Sequence, residues 1–298
     1  MLKVGFLGLG IMGKPMALNL VKAGLDVTVY DLNAGAVAEL VAAGAHGAST
    51  AKEMAENKDA VFMILPTAAI VQNALTGKDG VLAGSDEGTV IVDCSSVSPL
   101  DSQKCSELAE AKECFFLDAP VSGSNEKAAD GTLAFMIGGE KEAAEKVREA
   151  FEAMGSSWIV VGPSGSGSVT KLANQIMVNC NICAVAEAFT LAQKAGADPK
   201  KVYEAVRGGL AGSTVLEIKG QKMFRRDFTP GGTVKVNLKD MTNALNTARD
   251  LSVPLLLSPL VQQVILSLSA TGHCMDDHSG YVQFYEAISG ITVQTKEK

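Results

Sequence analysis

Lys171, Asn174 and Gln175 stand near the head of the stretch GSGSVTKLANQIMVNCNICAVAEAFTLAQKA, residues 165–195. Positions three and four apart share one face of a helix, so the three polar groups converge. Apart from them and Glu187 the stretch is apolar almost all round, the pattern of a buried helix. A lysine there can donate a proton when desolvation lowers its pKa. The same position also suits a lysine that snorkels to solvent from a helix start.

A second group is Gly8-Leu9-Gly10-Ile11-Met12-Gly13, between the apolar run LKVGFLG and the helical pattern PMALNLVKAG. Asp31 ends the next apolar run, DVTVYD, 23 positions after Gly8. Strand, glycine turn, helix and a second strand closed by an acid are the context of a dinucleotide site. The glycines would serve a tight turn, close approach to a pyrophosphate and close helix packing. The helix N-terminus offers N–H groups and a positive dipole end to the phosphates. Asp31 would accept hydrogen bonds from ribose hydroxyls and repel a 2′-phosphate, which favours NADH over NADPH. A tight turn with no ligand is the plain alternative.

Three further clusters carry chemistry-bearing residues. Asp118-Ala119-Pro120-Val121-Ser122-Gly123-Ser124 can form a nest of N–H groups and hydroxyls for a carboxylate, or be a simple loop. Lys239-Asp240 lies in a mixed helix; adjacent positions do not share a face, so a surface ion pair is not expected, although solvated surface is. Gly272-His273-Cys274-Met275-Asp276-Asp277-His278-Ser279 is rich in ligand types but matches no standard zinc spacing. A polar loop with Asp277 or Ser279 capping a last helix fits it better, and no metal site is expected. Cys180 and Cys183 form a C-x-x-C inside the apolar helix, where packing is a simpler role than redox or metal chemistry.

The elements that position these residues alternate up to residue 162. Apolar runs at 2–8, 26–31, 45–48, 59–66, 89–96, 115–120, 133–139 and 157–162 are separated by helical patterns at 15–24, 34–43, 50–56, 68–75, 100–112 and 140–154. This predicts an α/β fold, a doubly wound and mostly parallel Rossmann-type sheet over 1–163. Ligands of such sheets lie beyond the carboxyl ends of the strands. From 164 to 298 the periodicity is helical, at 168–195, 198–208, 213–224, 235–251, 255–271 and 277–288, which predicts an all-α second domain.

The chain has 298 residues, 47% hydrophobic and 20% charged, with net charge −7. No basic run is present, so nucleic acid is not an expected partner. No stretch reaches about 18 uninterrupted apolar residues, and no membrane span is expected. The six cysteines form no disulfide framework and the chain starts directly with a strand pattern, so a cytoplasmic location is the expectation.

GFLGLGIMGKPMALNL, DAPVSGS, GSGSVTKLANQ and Lys239-Asp240, in that order over essentially the whole chain, resemble the β-hydroxyacid dehydrogenases. The resemblance implies a nicotinamide cofactor on the first domain and a small anionic substrate between the domains. It implies Lys171 as the catalytic lysine, and Ser122, Gly123 and Ser124 as the holders of the substrate carboxylate. Asn174, Gln175 and Asp240 would complete the substrate side. Leu65, Pro66, Ser96 and Lys239 would line the cofactor with Gly8 to Gly13 and Asp31. Within the family, KLANQ, RGGLAGSTVL at 207–216 and Asp277-His278-Ser279 are most similar to the branch that reduces tartronate semialdehyde. Another 3-hydroxyacid or short semialdehyde is the alternative, and a nucleotide-binding protein without turnover is a further one. Gln175 stands where most of the family has asparagine, Gly232 where most has an aromatic, and Ser124 where glycine is common. The long apolar helix needs cover, so a homodimer or homotetramer built through the second domain is expected.

Overall fold

The structure is a computed structural model and describes residues 1–295. The chain divides into two compact units, Met1–Lys171 and a second that begins at Leu172.

The first unit is built on one sheet with strands β1 (Lys3–Leu7), β2 (Asp26–Tyr30), β3 (His46–Gly47), β4 (Ala60–Met63), β5 (Val90–Asp93), β6 (Phe115–Asp118), β7 (Val121–Ser122), β8 (Leu133–Gly138) and β9 (Gly155–Gly162). The order runs β3-β2-β1-β4-β5-β6-β8-β7, with β9 beside β8. From β3 to β6 every pairing is parallel, and β8 meets β6 and β7 antiparallel. All residues of β4 and β5 are buried, as strands covered by helices on both faces must be. One apolar cluster on these strands includes Phe6, Phe62, Phe135 and Phe151, and another includes Met54, Val61, Met63 and Ile91. Phe151 meets Phe62 edge-on at 5.6 Å and Phe135 at 5.0 Å between ring centroids. Such pairs add about 1 kcal/mol each beyond the area they bury. The pattern of a doubly wound, mostly parallel sheet is therefore observed. Two elements that the sequence pattern does not announce, β7 and the helix Ser124–Asp130, fill the segment between β6 and β8. They are too short, and too rich in small polar residues, to show a period.

The helix Ser166–Lys194 runs from the first unit into the second. Its length and composition alone would let it cross a membrane. Here Ile182, Cys183, Val185, Ala186 and Phe189 join the apolar core of the second unit. The helix is not buried all round, however. Met177 and Leu191 are 66% and 73% exposed, in line with exposed Ala173, Ala184 and Ala188. Apolar composition on every side reads as a buried helix in need of cover, and the stripe is the face its own chain leaves exposed.

The second unit is helical, with Pro199–Val206, Gln221–Arg225, Val234–Asp250, Leu257–Ala270 and Val282–Ser289 following the long helix. Residues 213–224, expected as one regular helix, instead pass through a π-type turn at Leu216–Gly220. A Cβ on Gly220 would lie only 3.1 Å from Leu216 and 3.3 Å from Phe189, so the backbone itself is packed into the core there. The last helix is entered through a 3-10 turn, His278–Tyr281, whose lead residue Asp277 accepts from the Ser279 N–H as a capping side chain should.

Candidate active site

The glycine turn leaves the carboxyl end of β1. Gly8 has φ +94°, a left-handed value that glycine tolerates, and a Cβ there would lie 2.4 Å from the Ile64 carbonyl oxygen. A Cβ on Gly13 would lie 1.8 Å from the Gly8 oxygen, so glycine is needed where the helix Gly13–Lys22 seals onto the strand. A Cβ on Gly10 would meet nothing within 4 Å, and Gly10 is exposed. Its bare backbone is open to close approach from outside, which is what a pyrophosphate requires. No side chain caps this helix at its N-terminus. These features fit a dinucleotide.

Asp31 is itself held by the backbone around the glycine turn. Its Oδ2 accepts from Leu9 N at 2.5 Å and its Oδ1 from Asn33 N at 2.7 Å. The carboxylate thus ties the glycine turn to the end of β2, and carboxylate oxygens retain further acceptor directions. Leu65, just past β4, donates its N–H to Ser95 Oγ at 2.8 Å, and the Ser95 N–H is held by Asp93 Oδ1 at 2.9 Å. Ser96, half-buried, follows directly, and Pro66 is exposed. Leu9, Ile11, Met12, Asp31, Leu65, Pro66 and Ser96 are thereby gathered at the carboxyl ends of β1, β2, β4 and β5.

Lys171 is set on the same unit by a residue the sequence reading did not single out for that task. Asp118, at the end of β6, accepts from Gly165 N through Oδ1 and from Ser168 N through Oδ2, both at 2.7 Å. It caps the long helix from another element. Burial raises the Asp118 pKa, and the two backbone donors pull against that rise. Ser168 Oγ also pairs with Ser102 Oγ at 2.9 Å. The fit is close enough that a Cβ on Gly167 would lie 2.2 Å from the Asp118 carbonyl oxygen. Lys171 follows Ser168 by three positions, so its place is fixed by this anchor. Ser122 ends β7, Gly123 has φ +143° and Ser124 has φ +61°. A left-handed serine costs about 1 kcal/mol, so surrounding structure must hold the loop in this shape.

In the second unit Gln175, Asn237 and Asp240 form a buried polar seam. Gln175 Nε2 donates to Asp240 Oδ2 at 2.7 Å and to Asn237 Oδ1 at 3.4 Å, and Asn174 Nδ2 donates to Gln175 Oε1 at 3.0 Å. Gln175, Asn237 and Asp240 are 7%, 3% and 2% exposed. Asn237 was not anticipated, although its spacing of three from Asp240 on one helix could have shown it. Lys239 and Asp240 do form an ion pair, with Nζ 3.6 Å from Oδ1. The pair is not a surface one, because Asp240 is buried; the expectation that these positions are solvated surface is what the structure corrects.

The cysteines carry free thiols. Burial pushes the Cys183 thiol up to about 12 and raises Cys180 as well, so both pack rather than react. His273 Nδ1 lies 2.8 Å from Asp276 Oδ2, whereas Asp277 turns to Lys219, its two oxygens 3.0 and 2.9 Å from Nζ. Among the described residues no group of three or more His, Cys, Asp or Glu side chains is arranged to hold a metal. A hollow of about 500 Å³ between Lys3, Asp59, Thr89 and Lys146 lies at the opposite, amino-terminal strand ends. Parallel sheets bind at the other edge, where the residues above converge.

Two family models divide the chain between them. The NAD binding domain of 6-phosphogluconate dehydrogenase matches residues 3–162. The NAD-binding domain of NADP-dependent 3-hydroxyisobutyrate dehydrogenase matches residues 165–285. The chain is 40% identical to 2-hydroxy-3-oxopropionate reductase of Escherichia coli (strain K12), over 97% of this chain and 98% of that protein. It is 34% identical to an NAD-dependent L-serine dehydrogenase of Pseudomonas aeruginosa, over 97% of this chain and 100% of that one. Among solved structures, the 3-hydroxyisobutyrate dehydrogenase of Mycobacterium tuberculosis, determined with L-serine, matches with a TM-score of 0.88 at 30% identity. That match covers 95% of this chain and 98% of the other.

Proposed function

The chain belongs to the β-hydroxyacid dehydrogenase family of NAD(P)-dependent oxidoreductases acting on CH–OH groups, and from that premise we propose that it reduces tartronate semialdehyde (2-hydroxy-3-oxopropanoate) to D-glycerate with NADH. The observation that carries the reading is the Asp118 anchor. It holds the start of the long helix, and with it Lys171, on the strand edge that bears the glycine turn. The 40% identity to the Escherichia coli reductase supports the choice of substrate.

When bound, the nicotinamide supplies the hydride. Gly10 admits the pyrophosphate, and Asp31 accepts from the adenosine ribose hydroxyls while opposing a 2′-phosphate. Leu65, Pro66 and Ser96 flank the cofactor. Ser122, Gly123 and Ser124 hold the substrate carboxylate. Lys171 stabilises the negative charge developing on the aldehyde oxygen and gives it a proton, which completes the alcohol. Gln175 acts as a positioning residue: its amide is engaged by Asn174, Asn237 and Asp240. We also propose that the exposed apolar stripe of the long helix is covered by a second copy of the chain in a homodimer or homotetramer.

The test is NADH oxidation with tartronate semialdehyde, set against methylmalonate semialdehyde, succinic semialdehyde and glyoxylate. A higher kcat/KM for tartronate semialdehyde is expected. A preference for any of the others would move the assignment to that acid within the same family.

A further inference from the structure

Asn19 is an amide set in the apolar face of the helix Gly13–Lys22, beside the buried Met16, Ala17 and Leu20. Asparagine is a poor helix former, and an amide taken out of water is costly unless it is hydrogen-bonded. Asn19 is only 9% exposed. Its Nδ2 donates to the Ala128 carbonyl oxygen at 2.8 Å, 109 positions further along the chain. Both partners lie in the first unit.

The carbonyl belongs to the end of the short helix Ser124–Asp130. The last four carbonyls of a helix have no partner within it. Here Lys127 O accepts from Gly131 N and Thr132 N, and Ala128 O is met by Asn19. Gly131 has φ +68°, and a Cβ on it would lie 3.1 Å from Ala153 O and 3.4 Å from Asn19 Nδ2. The end of the short helix is thus clamped between the helix of the glycine turn and the helix Arg148–Met154. Of its seven residues only Ala128 is buried, so packing alone fixes it weakly. At its other end is the Ser122–Ser124 loop, which folds back on the same helix: a Cβ on Gly123 would lie 2.8 Å from Lys127 Cβ. Two helical turns span only about 10 Å, so a shift at the clamp is passed to the loop.

We propose that Asn19 is a positioning residue for the substrate carboxylate: through Ala128 and the short helix it holds the Ser122–Ser124 loop in register with the helix that carries the glycine turn. This rests on the reading of Ser122, Gly123 and Ser124 as the holders of that carboxylate. Asn19 is buried in the layer beneath, so it acts through the loop and not by contact. Its removal therefore weakens the grip on the acid and spares the glycine turn at the far end of its own helix.

The experiment compares wild type, Asn19→Leu, Gly131→Ala and Leu20→Ala by KM and kcat for tartronate semialdehyde, by the inhibition constant of D-glycerate, and by NADH affinity in a fluorescence titration. Leu20→Ala loosens the same helix while keeping the Asn19 amide, and so reports a purely structural effect. The expected result for Asn19→Leu is a rise of about 10-fold in KM and in the D-glycerate constant, with kcat and NADH affinity within about twofold of wild type. Gly131→Ala strains the clamp from its other side and shifts the same two constants, which keeps the test open if Asn19→Leu does not fold. Leu20→Ala melts at a lower temperature with both constants near wild type. Unchanged constants in Asn19→Leu, losses spread equally over KM, kcat and NADH affinity, or the same shifts in Leu20→Ala would overturn the role of Asn19 and leave the reductase reading standing. A wild-type enzyme that reduces no semialdehyde acid would instead refute the reductase reading, and this proposal with it.

Discussion

Asp31 and Asp277 each tie separate segments of the chain together through one carboxylate. Asp31 holds the Leu9 N–H of the glycine turn, and under the proposed function its remaining acceptor directions serve the cofactor ribose. Asp31→Ala is therefore expected to cost stability of about 1–2 kcal/mol and to raise the ratio of NADPH to NADH turnover, measured as kcat/KM for each. An unchanged ratio would mean that Asp31 is only a structural tie. For Asp277, burial alone would raise the pKa. The His278 and Lys219 charges and the Ser279 N–H outweigh it and hold the carboxyl well below the usual carboxylate range. Its folded value lies below the unfolded value of about 3.9, so the stability it contributes is present above that pH and is lost as pH falls. Chemical denaturation from neutral pH down through the acid range should show this loss, with a shallower acid slope in Asp277→Asn. That variant should also be less stable by about 3 kcal/mol at neutral pH, because Lys219 loses a buried partner. Identical acid slopes would exclude the carboxylate as the source.

At the scale of elements, the sheet was legible because its strands are short apolar runs closed by turn residues, and the glycine turn because its parts are contiguous. The anchor between β6 and the long helix was not. Asp118 and Gly165 lie far apart in sequence, and nothing local in either marks the pairing. The Gln175 link to Asp240 was hidden for the same reason, although both residues were candidates for the substrate side. That the long helix needs cover was legible, but not which residues stay exposed, because apolar composition does not tell protein core from a face awaiting a partner. The anchor gives a direct prediction. Asp118→Ala leaves the Gly165 and Ser168 N–H groups buried without acceptors, which should lower stability by about 3 kcal/mol. It should also reduce kcat far more than it weakens NADH binding, since the glycine turn is untouched. Proportional losses in both would place Asp118 outside the positioning of Lys171.

For the whole molecule, the exposed apolar stripe and the reaction itself are the features to test. Met177→Glu places a charge in the middle of the stripe. Light scattering after size exclusion should find wild type as a dimer or tetramer and this variant as a smaller species. A wild-type monomer would show that the stripe needs no second copy. The central claim is that Lys171, planted by Asp118 on the cofactor edge, supplies the proton in an NADH-dependent reduction of tartronate semialdehyde. It is tested most directly by following NADH oxidation with that substrate in wild type and Lys171→Ala, with NADH affinity titrated in parallel. The account predicts robust wild-type turnover and a loss of several orders of magnitude in the variant at nearly unchanged NADH affinity. Near-normal turnover of Lys171→Ala would contradict it.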